Sequence, residues 1–214
     1  MNKYFTTLYL LFIPFWVNAQ LLYRAPKETP IMTEYNNGHI WAYRQIGDFV
    51  VGMANYLEED DYGKYYQIAI FVKNLGEKSV TFDPDKIRTI LYKKSGDQRE
   101  LQVYSYYDYM HKMKNSQAWS MALLGLSAGL DAGKAGYSTT VASSQMMILR
   151  KLMADERNTK TQGYLRITTV HPGEGIIGFM NVKRKKGELM RVKIPVGDYM
   201  FVYDWNVSKR RENY

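Results

Sequence analysis

The chain contains no cysteine among its 214 residues. This absence excludes a disulfide framework, thiol catalysis and zinc sites with cysteine ligands. It also excludes bacterial lipidation, which needs a cysteine directly after the cleavage site. An exported domain of this composition must take its stability from a packed core, and the chain is long enough to form one.

Histidine is scarce as well, and His39, His111 and His171 fall in three different predicted elements. Metal and nucleophile sites need side chains that converge, and neither H-x-x-x-H nor H-E-x-x-H occurs. The acidic run at residues 58–61 lacks the spaced pattern of a calcium loop, so a solvated turn between strands is the favoured interpretation. The sequence therefore predicts a protein that is not an enzyme and has no cofactor or metal.

Residues 1–19 are typical of a secretory signal peptide. Lys3 opens the segment, an apolar stretch follows over residues 4–17, and small or slim residues end it at 17–19. A membrane span is the alternative, but the stretch contains threonines and a proline and is shorter than the roughly 20 residues that a span needs. We expect cleavage before Gln20 and a mature protein that is periplasmic or secreted, but not a lipoprotein.

Short alternating segments separated by turn residues dominate residues 49–104 and 164–206. The clearest is residues 64–73, which alternates in the period of two that is typical of a strand with one face in the core. Tyr66, Ile68, Ile70 and Val72 form one face of it, and the other face consists of Tyr65, Gln67, Ala69 and Phe71. Met190, Val192 and Ile194 form a second such face, and Phe201, Tyr203 and Trp205 a third. Eight or nine short strands of this kind predict an antiparallel β-sandwich.

Several of these segments resemble the telokin-like, immunoglobulin-like domains of bacterial envelope proteins. The matching runs are Phe71-Val72-Lys73-Asn74, Val80-Thr81-Phe82-Asp83, Pro172-Gly173-Glu174, Gly178-Phe179 and Tyr199-Met200-Phe201. The resemblance implies a fold and an extracytoplasmic location, with no catalytic residues to carry over. Unlike many exported relatives, this chain lacks the lipobox cysteine, and about 58 residues interrupt its sandwich.

That interruption, about residues 105–162, has the pattern of helices. Ser105 and Asp108 have the spacing of a capping box, and a second helix fits residues 141–158. The predicted fold is thus mainly β, an immunoglobulin-like antiparallel β-sandwich over residues 49–206 with an inserted α-helical hairpin. Residues 20–48 are expected to form an extended arm, and residues 207–214 a basic tail.

The predicted hairpin carries a stripe of small residues that includes Gly125, Gly129 and Gly133. Such a stripe lets another helix approach closely. The second helix of the hairpin, another copy of the chain, a membrane and another envelope protein are the alternative occupants. A helix that spans a membrane is disfavoured, since the uncharged residues 115–130 reach only roughly 24 Å. The predicted interaction surface consists of Trp119, Gly125, Leu126, Gly129, Gly133, Met146 and Met153.

The net charge of +8 is moderately basic and does not by itself indicate nucleic-acid binding. A basic cluster is predicted at a hairpin tip, where it either keeps a sheet edge soluble or attracts an anionic glycan or membrane surface. Tyrosines near the start of the first helix either pack against the sandwich or stack on sugars. This alternative surface consists of Lys183, Arg184, Lys185, Lys186, Tyr106 and Tyr107.

Overall fold

The computed structural model describes residues 29–36, 39–135 and 139–208, and for residues 36, 123–135 and 139–146 it describes the backbone only. The predicted signal peptide, its cleavage site and residues 209–214 of the basic tail lie outside the described residues. The described part is mainly β, with antiparallel sheets and two α-helices. This confirms the mainly β character that the alternating segments predicted.

Eleven strands are formed by the described residues. In chain order they are β1 Met32–Asn36, β2 His39–Ile46, β3 Phe49–Asp60, β4 Gly63–Asn74, β5 Val80–Phe82, β6 Arg88–Tyr92, β7 Gln98–Leu101, β8 Thr168–Val170, β9 Gly175–Lys183, β10 Leu189–Val196 and β11 Tyr199–Asn206. A five-stranded sheet has the order β1-β2-β3-β4-β9, and a four-stranded sheet has the order β11-β10-β6-β7. The short strands β5 and β8 pair with each other.

The alternation that predicted strands also decides which side chains enter the core. Of the two faces of β4, the one that consists of Tyr66, Ile68, Ile70 and Val72 is entirely buried. The predicted inward faces of β10 and β11 are buried too. All three faces belong to one apolar cluster that joins the large sheets, and the Tyr203 hydroxyl crosses it to donate to the Val51 carbonyl at 2.8 Å. Gly197, at φ +57°, provides the left-handed turn that lets β10 and β11 form a tight hairpin.

Two helices lie between β7 and β8 in the chain. They are α1 Tyr106–Ala135 and α2 Thr139–Thr161, and we call them together the helical hairpin. The predicted capping box is confirmed, since the backbone N–H of Asp108 donates to the Ser105 hydroxyl at 3.0 Å and the N–H of Ser105 donates to the Asp108 carboxylate at 3.3 Å. At both ends α2 extends a little beyond the predicted residues 141–158.

Residues 32–36 and 39–46, predicted to be part of an extended arm, instead form β1 and β2 of the five-stranded sheet. The alternation was hard to recognise because the adjacent residues Trp41 and Ala42 are both buried. Residues 74–77, Asn-Leu-Gly-Glu, have the composition of a hairpin turn and so predict that the strands on either side of them pair. In the structure they lead from the five-stranded sheet to β5, which pairs with β8.

Candidate interaction surface on the helical hairpin

The helical hairpin has two parts with different surroundings. Its base, residues 106–117 of α1 and 153–161 of α2, packs on the sheet. The buried residues of α1 there are Tyr109, Met113 and Gln117. They are spaced four residues apart, so they lie on one face of the helix. The distal half of the hairpin consists of residues 118–135 of α1 and 139–152 of α2. The described side chains of the two parts differ in burial and in chemistry.

Asp60, the last residue of β3, joins the base to the sheet. One carboxylate oxygen accepts the backbone N–H groups of Tyr62 and Gly63 at 2.8 and 2.9 Å. The other accepts the Tyr109 hydroxyl of α1 at 2.6 Å and lies 3.7 Å from the ammonium of Lys160 in α2. Only 4% of the Asp60 side chain is exposed. The expected solvated acidic turn is therefore wrong for Asp60, because both helices cover its carboxylate.

Gln117 forms the second polar junction of the base. Its amide nitrogen donates to the Tyr62 hydroxyl at 3.0 Å, to the Met153 carbonyl at 3.1 Å and to the Glu156 carboxylate at 3.0 Å. Arg157 donates to the amide oxygen of Gln117. One buried side chain thus connects α1 with α2 and with the β3–β4 connection, and each of its polar atoms has a partner.

The chain enters and leaves the hairpin at adjacent points on β9. The backbone N–H of Tyr104 donates to the Asn181 carbonyl, and the N–H of Leu165 donates to the Phe179 carbonyl. The buried Tyr164 hydroxyl donates to the Tyr104 carbonyl at 2.8 Å and accepts the N–H of Asn181 at 3.0 Å. Both ends of the hairpin are therefore fixed to the same strand.

Tyrosine rings fill the space between the base and the sheet. Tyr109 stacks on Tyr164 with ring centroids 5.4 Å apart and meets Tyr65 edge-on at 5.8 Å. Burial, followed by hydrogen bonding to Glu156, raises the pKa of Tyr62 to about 12. Burial and the hydrogen bond to Asp60 also raise the pKa of Tyr109 well above its usual value. The base is thus a site where neutral phenols are favoured.

The described side chains of the distal half include large apolar groups in water. Trp119 is 73% exposed in α1, and Met147, Ile148 and Leu152 of α2 are 71%, 61% and 60% exposed. Residues 118–149 contain only two charged residues, Asp131 and Lys134. Exposed apolar side chains in a segment with so few charges make the distal half the candidate interaction surface.

Of the seven predicted interaction residues, the structure describes the side-chain surroundings of two. Trp119 is exposed on α1, and Met153 is partly buried at the base of α2. The side chains of Leu126 and Met146 lie outside the described residues, as does the environment of Gly125, Gly129 and Gly133, although all three glycines belong to α1. Ile148 and Leu152 do not belong to the predicted site, although their spacing of four residues, which places them on one helix face, made them candidates.

The basic cluster does not lie at a hairpin tip. Lys183 ends β9 and Leu189 begins β10, and these strands belong to different sheets. The cluster therefore occupies a connection that crosses from one sheet to the other, with the Lys185 carbonyl fixed by the Tyr66 hydroxyl at 2.7 Å. Lys183, Lys185 and Lys186 are exposed there, while Arg184 is partly buried.

The two tyrosines of the alternative surface differ. Tyr107 is 78% exposed. The ring of Tyr106 is partly buried and is covered on one side by the Arg166 guanidinium, 3.8 Å from its centroid. A sugar ring would have to displace Arg166 to stack on that face, so Tyr106 acts here as part of the packed base.

One sequence pattern that is associated with catalysis does occur in the described residues, but its structural context differs from that of a catalytic site. The pattern G-x-S-x-G occurs at residues 125–129, which the interpretation as a non-catalytic chain did not take into account. These residues lie inside α1, whereas a nucleophile elbow requires a sharp turn from a strand to a helix. In the described part of the chain, no group of three or more His, Cys, Asp or Glu side chains is placed to hold a metal ion.

Neither helix, as far as its residues are described, is long and apolar enough to cross a membrane. Comparisons with protein-family models, with curated proteins and with solved structures give no match. The resemblance to telokin-like domains therefore stays a prediction from the sequence.

Proposed function

We propose that this chain is an exported, non-catalytic binding or assembly module of a bacterial cell envelope. In this proposal an immunoglobulin-like sandwich presents the helical hairpin, and the hairpin carries the main interaction surface. The partner is an envelope protein or another copy of the chain. The observation that carries the proposal is the exposure of Trp119, Met147, Ile148 and Leu152 on helices whose base is fixed by buried polar contacts.

The base of the hairpin is held to the sheet by polar contacts, and this attachment supports the proposed role. Asp60 and Gln117 hold the base through hydrogen bonds that leave few unpaired polar atoms, so the hairpin projects from the sheet in a defined direction. At 1.5 Å per residue, the part of α1 beyond residue 117 extends by roughly 27 Å. An excursion of this size exceeds what a connection between two strands requires, and long excursions in compact domains often carry function.

The test is capture of partners from the protein's own envelope extract with matched bait variants. Trp119→Ser removes an exposed apolar group from the hairpin, and Lys185→Glu with Lys186→Glu reverses charge in the connection between the sheets. We expect the first variant to lose what the wild-type protein captures and the second to retain it. Retention by the Trp119 variant and loss by the lysine variant would refute the hairpin as the main surface.

The second candidate function is binding of an anionic glycan or membrane surface. The exposure of Lys183, Lys185, Lys186 and Tyr107 favours it. Attraction of this kind is electrostatic, so salt weakens it. The Debye length, which sets the range of the attraction, is about 10 Å at moderate ionic strength. Binding to an acidic polysaccharide that disappears in the double lysine variant, while Trp119→Ser still binds, would establish this function.

A further inference from the structure

Strand β9 is an edge of the five-stranded sheet, and short segments of the chain close most of that edge. Alternate residues of β9 turn their backbone N–H and C=O groups away from β4. The N–H of Lys183 and both backbone groups of Asn181 and of Phe179 face outward in this way. They form hydrogen bonds with residues of the segments 102–104 and 163–165. The chain therefore adds its own backbone to this edge wherever it passes.

This pairing stops at Ile177. Ile177 lies opposite Phe71 of β4, two residues before Phe179, so its N–H and C=O also point away from β4. Neither group forms a hydrogen bond with another described residue. The Ile177 side chain is 67% exposed. The edge is thus open at Ile177, next to a position that a segment of the chain already occupies.

A groove of about 480 Å³ borders the open edge at Ile177. Residues 161–166 and 168 line it on the other side, where the chain runs from α2 to β8. Ile167, in the same stretch, is 62% exposed. The groove therefore combines unpaired backbone groups with apolar side chains, which are the two features that an added strand uses.

The surroundings of the groove favour a short extended segment over the edge of another sheet. Gly163 and Leu165 bond to Phe179, so they lie beside β9 in the plane of the sheet. A long strand of a second copy, paired along β9 from Ile177, would run into them. A peptide that pairs only around Ile177 does not extend that far.

The charge of the groove selects among such peptides. Arg166 is the charged residue among those that line it, and none of the described lining residues is acidic. The Arg166 guanidinium lies 3.8 Å from the centroid of the Tyr106 ring. No described carboxylate forms an ion pair with it. The carboxylate of Glu174, beside the groove in the chain, accepts the N–H of His171. An acidic side chain in the groove would pair with Arg166.

We propose that this groove binds an extended, acidic peptide segment of a partner protein, which adds a short strand to β9 at Ile177. Hydrogen bonds to the Ile177 N–H and C=O hold its backbone, and Arg166 binds its carboxylate. The proposal goes beyond the proposed function, because the groove is separate from the distal half of the hairpin.

Selection from a display library of random eight-residue peptides tests the proposal, with the protein recovered after export as the target. Ile177→Pro is the variant that removes the outward N–H. Proline is tolerated in an edge strand where the N–H points to solvent, so the pairing of β9 with β4 should persist. We expect peptides with alternating apolar residues and an acidic residue to bind the wild-type protein at least about 10-fold more tightly than the variant. No enrichment, or equal binding to both proteins, would overturn the proposal.

Hydrogen exchange of the Ile177 amide tests the position without a variant of β9. This amide should exchange rapidly in the free protein and slowly when a selected peptide is bound. Binding that leaves its exchange unchanged would overturn the added strand. Slow exchange in the free protein would do so as well, because a second copy or a segment of the same chain would then occupy the edge.

Two arginine variants test the charge. Arg166→Gln should weaken binding of the acidic peptides by about 5-fold or more. Arg99→Gln removes an exposed arginine of β7, in the other large sheet, and should leave binding unchanged. Equal losses would mean that net charge and not the groove attracts the peptide. Trp119→Ser should also leave peptide binding unchanged, and a loss in that variant would place the peptide on the hairpin and overturn the proposal.

Discussion

The base and the distal half of the hairpin belong to the same two helices, yet they have opposite surroundings. Where the base meets the sheet, polar side chains such as Asp60 of β3 and Gln117 of α1 are buried and have several partners each. In the distal half, apolar side chains such as Trp119 and Leu152 are exposed. Polar groups inside and apolar groups outside reverse the usual distribution in a folded chain.

The reversal separates attachment from recognition. Buried hydrogen bonds are directional, so they fix the angle at which the helices leave the sheet. Exposed apolar groups have no such directionality, and their free energy is gained only when something covers them. We therefore expect changes in the base to alter folding and changes in the distal half to alter association.

Alkaline pH should produce the largest effect on the base. The ordinary tyrosine pKa is 10.0. Burial, and to a smaller extent the hydrogen bond with Glu156, raises the pKa of Tyr62 to about 12. An unfolded chain releases its phenol protons near pH 10 while the folded base retains them. Stability is therefore complete below pH 10 and falls as the pH rises toward 12. Urea unfolding at a series of pH values measures this loss.

Two phenylalanine variants sharpen that experiment. Tyr62→Phe removes one of the phenols with a raised pKa, so the stability of this variant should depend less on pH above 10 than that of the wild-type protein. Tyr107→Phe changes an exposed phenol and should leave the pH dependence as it is. Equal pH dependence of the wild-type protein and both variants would show that Tyr62 does not contribute to the alkaline loss.

Asp60→Ala should be the most damaging single substitution in the base. It leaves the Tyr109 hydroxyl, two backbone N–H groups and the Lys160 ammonium without their acceptor. We expect a loss of about 3 kcal/mol in the free energy of unfolding, as for other buried charges that lose a partner. Denaturant titration followed by circular dichroism measures it. Asp61→Ala, at the exposed neighbouring position, should change stability by less than about 0.5 kcal/mol; equal losses would contradict the assignment.

Gln117→Leu should have a smaller effect of the same kind. The leucine fills a similar volume, but Tyr62, Glu156 and Arg157 each lose a partner, and a loss of about 1–3 kcal/mol follows. The same titration measures the change. Gln102→Leu is the control at an exposed position and should be close to neutral. A neutral Gln117 variant would mean that the base is held by its tyrosine rings rather than by this amide.

Local patterns in the sequence predicted much of the fold. The alternation of β4, the β10–β11 hairpin and the capping box at Ser105 each depend on neighbouring residues, so they could be recognised from the sequence. Pairing between distant segments could not. The turn at residues 74–77 has hairpin composition, yet β5 pairs with β8, nearly 90 residues later in the chain.

The candidate site could be predicted from the sequence only where local amino-acid composition distinguishes it. Scarcity of charge and the apolar side chains of the distal half are visible in the sequence, so Trp119 could be proposed as exposed for a partner. The partners of Asp60 could not be inferred, because they come from α1 and α2, more than 40 residues away. An acidic run looks the same in a sequence whether its carboxylates are in water or under a helix.

Trp119→Ser should have the smallest effect on stability and therefore tests the comparison most directly. The side chain is 73% exposed, so its loss should change the free energy of unfolding by less than about 0.5 kcal/mol. Capture of partners from the envelope extract should nevertheless be lost, because the exposed side chain of Trp119 contributes to partner binding and not to folding. Tyr35→Ser on β1, at the same exposed fraction, is the matched control and should alter neither quantity. A Trp119 variant that is clearly destabilised at every protein concentration would show that the distal half is packed within one chain, and attachment and recognition would then not be separate.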